Sequence, residues 1–107
     1  MEDDITKSKH FLMALEQVIQ VSNREIIHSR IPPITSERML SFAVTLAKLR
    51  AEYIQAAFQF ADSNHADGEE VAKGIDNLSI CRRQFTEARD AFIALQRAIE
   101  LAYVAVE

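Results

Sequence analysis

Glycine and proline number only two each in 107 residues. A fold of strands and tight turns needs those residues as punctuation at regular spacing, so their scarcity argues against one. Cysteine occurs once, at Cys81, which excludes an intramolecular disulfide and leaves a small apolar side chain as the plain reading. No apolar run approaches the roughly 18 residues that a membrane span needs. Excess positive charge is also missing: the chain carries a net charge of -4, which gives phosphate backbones no general attraction. The opening Met1-Glu2-Asp3-Asp4 lacks the basic and apolar character of a secretion signal, so the expected location is the cytoplasm.

What is present is hydrophobic periodicity. From Val71 onward a large apolar residue recurs every seven positions: Val71, Leu78, Phe85, Phe92, Ile99 and Val106. Three residues after each of the first five stand Gly74, Cys81, Ala88, Leu95 and Ala102, all small or apolar. This is a heptad seam, the pattern of a helix that supercoils against its neighbours. The spacing predicts a third helix over 68–106, capped at its start by Asp67 with Glu70 three positions on. Gly74 inside it predicts the close approach of a neighbouring element or a kink, since an interior glycine costs about 1 kcal/mol relative to alanine.

The first helix is predicted over 4–29. Its stripe is Ile5, Leu12, Ile19 and Ile26, widened by Phe11, Leu15 and Val18. Acids at its start suit the positive end of the helix dipole. Pro32 and Pro33 end it by removing two N–H donors. Thr35 is the expected cap of a second helix over 36–63, with Ile34 and Met39 in the positions of a hydrophobic staple. That helix carries one seam through Met39, Phe42, Leu46, Leu49, Tyr53, Ala56 and Phe60. Leu40, Ala43, Ala47, Ile54, Ala57 and Ala61 make a second stripe beside it, and Val44, Ala51 and Phe58 a third line. So broad an apolar surface has to be covered on more than two sides.

The expected fold is therefore all-α: one domain, a three-helix antiparallel up-down-up bundle with long coiled-coil-like helices, dimerising through its uncovered faces. The candidate interface is Val44, Ala51 and Phe58 on the second helix with Leu78, Phe85, Phe92 and Ile99 on the third.

Chemistry-bearing constellations are few. Glu25 and His28 form a Glu-x-x-His pair on one face of the first helix, a spacing that carboxylate-bridged metal bundles use when Glu37 and Glu100 or similar acids join it. Its bland counterpart is a solvated Glu beside a His that favours a helix C-terminus. Arg82, Arg83, Arg89 and Arg97 give the third helix a basic flank. That flank suits nucleic acid only with more charge and interleaved aromatics, and it suits ion pairs such as Arg83–Glu87 and Arg97–Glu100 as it stands. His10 reads as a surface histidine and His65 as a turn residue. No glycine-rich phosphate loop, Cys-x-x-Cys or His-Glu-x-x-His occurs, so no cofactor is implied and the case for an enzyme is weak. The function expected is a non-catalytic protein–protein interaction or regulatory module acting as a homo-oligomer. A metal-binding bundle and a nucleic-acid-binding helical protein stand as alternatives.

Overall fold

The computed structural model describes residues 2–63 and 67–107. Among them the chain forms three α-helices and no strand: α1 (Glu2–Arg30), α2 (Ser36–Asp62) and α3 (Gly68–Glu100). The turn reading of His65 lies outside the described residues. Two compact units emerge, one of residues 1–35 with 97–107 and one of residues 36–96.

The second unit is a helical hairpin whose direction follows from its contacts. Phe42, early in α2, meets Phe92, late in α3, with ring centroids 5.2 Å apart. Tyr53 meets Phe85 at 6.3 Å. Phe60, late in α2, lies against Gly74, early in α3. The two helices therefore run antiparallel. On α2 the residues withdrawn from water are Met39, Phe42, Leu46, Leu49, Tyr53, Ala56 and Phe60. On α3 they include Val71, Gly74, Leu78, Cys81, Phe85, Ala88, Phe92, Leu95 and Ile99. These are the seams that the periodicity marks. Gly74 shows why one position must be small: a Cβ there would stand within van der Waals contact of the Phe60 ring, 2.9 Å from Cε2 and nearer still to Cδ2. The start of α3 is capped by Asp67, whose Oδ1 accepts a hydrogen bond from the Glu69 N–H at 2.9 Å.

The first unit differs from its sequence reading in two ways. The helix expected to reach residue 106 stops at Glu100. There the Tyr103 N–H donates to the Ala98 carbonyl (2.8 Å) and the Ala102 N–H to the Ile99 carbonyl (3.0 Å). This is a Schellman turn, which requires left-handed backbone at one residue. Ala102 supplies it with φ 57°. No glycine marks the spot, so the heptad rhythm, which Ala102 and Val106 continue, runs past the helix end. Beyond the turn Val106 forms an isolated parallel bridge with Ile34. The Ile34 N–H donates to the Ala105 carbonyl (2.8 Å) and the Glu107 N–H to the Ile34 carbonyl (2.9 Å). Ile34 and Val104 are buried at this clasp.

The second difference concerns α1. Its expected core stripe is not covered: Ile5, Leu12, Ile19 and Ile26 are all exposed, as are Phe11, Leu15 and Val18. The positions drawn partly out of water are Ser22, Asn23 and Ile27, near the end where Ile34 and Val104 are buried.

An alanine at φ 57° pays about 1–2 kcal/mol that glycine does not, partly offset by the extra freedom glycine gives the unfolded chain. Ala102→Gly is therefore expected to raise stability by about 1 kcal/mol, read as a higher midpoint in urea denaturation. Ala102→Val is expected to lower it by more than that.

Candidate functional site

The feature most unlike an ordinary folded surface is the amount of large apolar side chain left in water. On α2, Leu40, Val44, Ile54 and Phe58 are exposed, Phe58 and Leu40 by 66% each. Ala43, Ala47, Ala51, Ala57 and Ala61 are exposed between them. Why this happens is plain in the sequence. A helix with apolar residues on two heptad seams can turn only one of them to a single neighbour. Here α3 takes the seam through Phe42, Leu49 and Ala56, and the other stays uncovered.

The predicted interface residues therefore fall into two groups. Val44, Ala51 and Phe58 lie on the uncovered side of α2. Leu78, Phe85, Phe92 and Ile99 are half-buried, and Phe85 and Phe92 already engage α2 within the chain. Phe85 is held from both helices: Arg50 stands over its ring at 5.2 Å and Arg89 at 5.6 Å. Two cations at an aromatic face add a modest attraction each, about 0.5–1 kcal/mol where water reaches them. Arg50 was not among the residues that motif reasoning singled out. The signal that finds it is register: an α2 that sets Tyr53 against Phe85 places Arg50, one turn earlier, beside the same ring.

The basic flank of α3 is partly engaged within the helix. Arg97 pairs with Glu100 at 3.2 Å, as its spacing suggests, and Arg89 with Asp90 at 3.4 Å. Arg83 and Glu87 do not pair. All these charges are well exposed, so each pair is worth little on its own, about 0–1 kcal/mol. Glu25 and His28 are both exposed near the end of α1. Among the described residues no three of His, Cys, Asp and Glu gather as a metal site. Cys81 is a free, half-buried thiol on the α3 seam. Two surface depressions on α1 are lined by residues of that helix, around His10, Glu16 and Gln20 in one case and Asp4, Ser8 and Leu12 in another. A third lies where Gly74 meets Phe60, with Gln59, Lys73, Glu70 and Asn77 around it. None gathers the convergent polar groups of a small-molecule site.

No helix among the described residues is long and apolar enough to cross a membrane. No protein-family model matches the chain, and it matches neither a curated protein nor a solved structure.

Proposed function

We propose that this protein is a non-catalytic interaction module that works as a homo-oligomer, joined through apolar helix faces. The observation that carries this reading is the uncovered apolar side of α2, from Leu40 to Phe58, together with the uncovered stripe of α1. Exposed apolar side chains scattered singly need no explanation, but contiguous patches of more than a few hundred Å² mark contact surfaces. In the proposed assembly the three helices run up-down-up within one domain, packed in coiled-coil fashion. The faces that one chain leaves in water then close against a second chain or another protein. The cytoplasm is the compartment this reading assigns.

Light scattering across a range of concentrations tests it. A species of twice the 12.1 kDa chain mass is expected at the higher concentrations. A mass of one chain throughout would overturn the homo-oligomer. The metal and nucleic-acid alternatives have less behind them. Glu25 and His28 would need further ligands from another chain, and Arg89 and Arg97 are already shared with acids.

A further inference from the structure

We propose that Arg50, Arg82 and Arg89 form one recognition edge of the α2–α3 hairpin, and that its partner is an acidic helix of another protein. This rests on the interaction-module reading above and supplies the partner's chemistry; it does not require the homo-oligomer. The geometry lies wholly within the hairpin. Phe42 against Phe92 and Phe60 against Gly74 fix a single register, in which each step forward on α2 is a step back on α3. That register sets Arg50 level with Gln84, between Arg82 and Arg89. Each of the three arginines directly follows a d residue of its seam, Leu49, Cys81 or Ala88, and so occupies an e position. In an antiparallel pair the e positions of the two helices face each other along one edge. The contacts agree: the Arg50 guanidinium from α2 and the Arg89 guanidinium from α3 stand over the same Phe85 ring, at 5.2 and 5.6 Å.

Facing e positions ordinarily carry opposite charges, which pair across the seam. Here they carry one sign. None of the three arginines has an acid three or four residues away along its own helix, the spacing at which helical ion pairs form. Arg83, Arg97 and Lys73 each have one. Among the described residues no carboxylate pairs with Arg50 or Arg82. Arg89 meets Asp90, its neighbour in sequence, at 3.4 Å and with both groups well exposed, a pair worth little.

Planar guanidinium forks grip carboxylates through two parallel hydrogen bonds. Phosphates suit those forks too, but the cluster is short, and the chain's net charge of -4 opposes a long polyanion. Arg82 and Arg89 are seven residues apart, about 10 Å along the axis, with Arg50 between their levels. A helix with acids at i, i+4 and i+7 presents three carboxylates over the same length. Ala47, Ala57 and Thr86 beside the arginines are small, which leaves room for its backbone. The helix α1 does not match: its acids, Glu2, Asp3, Asp4, Glu16 and Glu25, include no two spaced by three, four or seven. Within one helix of this chain only Glu69 and Asp76 are seven apart, and Lys73 between them already holds Glu69. The occupant is therefore assigned to another protein and not to a second copy.

The probe is a fluorescein-labelled, side-chain-stapled alanine-rich helix carrying glutamate at i, i+4 and i+7. Fluorescence anisotropy reads its binding to the full chain at about 50 mM salt, where exposed charges are lightly screened. Binding is expected, and it should weaken as salt rises. Arg50→Gln combined with Arg82→Gln is expected to weaken it by about tenfold or more, while circular dichroism keeps its helical signal. Arg24→Gln combined with Arg30→Gln removes the same charge from α1 and should leave binding within about twofold. No binding of the glutamate helix, or equal losses from the two double variants, would overturn the inference. So would a short DNA duplex that binds more tightly than the glutamate helix, since the edge would then read phosphate. Light scattering keeps this inference apart from the reading beneath it. Failure of the peptide with an oligomeric mass removes this edge alone; failure with a mass of one chain throughout removes the interaction reading as well.

Discussion

Phe85→Ala is expected to destabilise the α2–α3 hairpin by about 2–3 kcal/mol. A fully buried Phe→Ala change costs about 3–5 kcal/mol from lost transfer energy and the cavity left behind. Phe85 is half-buried, which lowers that figure. Against this, the ring is the meeting point of three other side chains: Tyr53 at 6.3 Å, Arg50 at 5.2 Å and Arg89 at 5.6 Å. Their loss restores part of the cost. Phe85→Leu separates the two contributions. It keeps most of the apolar volume and discards the aromatic face, so about 1 kcal/mol should remain. Urea denaturation of both variants measures this at a concentration where the parent is monomeric. Phe58→Ala is the control. Among the described residues Phe58 has no ring or cation partner, so a loss as large as that of Phe85→Ala would mean that the hairpin register is wrong.

The second large effect is expected at Ala56. It is the one buried residue of α2, 5% exposed on the side facing α3. Ala56→Asp would set a carboxylate there without a partner, a change on the order of 4 kcal/mol at neutral pH. The cost should depend on pH, and its sign can be worked out. Burial favours the neutral acid, so the folded chain would hold the proton to a higher pH than the unfolded chain. Below about pH 3.9 both forms are neutral and the charge contributes nothing. Above it the unfolded chain ionises first, and stability falls by up to about 1.4 kcal/mol per pH unit until the folded form ionises too. Ala56→Asn has similar size and no charge, so its loss relative to the parent should be the same at pH 4 and pH 7. An Asp variant as indifferent to pH as the Asn variant would show that water reaches this position.

The hairpin was legible because its signal is repeated. Seven positions on α2 and nine or more on α3 agree on one face each, and the least exposed residues fall on those faces. Tyr53, Phe85 and Gly74 needed no motif to be found, since periodicity alone puts them on the seam. The end of α3 was not legible, because the feature that stops the helix is a backbone conformation adopted by an alanine. Glycine would have announced a left-handed residue; Ala102 does not. The clasp of Ile34 with the chain after α3 was hidden for a similar reason. A single bridge between Ile34 and Val106 has no alternation to reveal it, and Val106 fitted the heptad count equally well. On α1 the periodicity states only that a face is apolar. What covers that face is a tertiary fact, and Ile5, Leu12 and Ile19 are exposed.

The clasp also bears on the order in which the chain assembles. Ile34 and Val106 are far apart in sequence, and closing a flexible loop on the order of 70 residues costs about 4 kcal/mol in chain entropy. Two hydrogen bonds and two buried side chains do little better than match that. Once Phe42 and Phe92 have met, only short stretches on either side remain to be joined. The clasp should therefore be late to close and early to open, and the Ile34 and Glu107 amides should exchange with solvent hydrogen well before the amides of the hairpin's central turns.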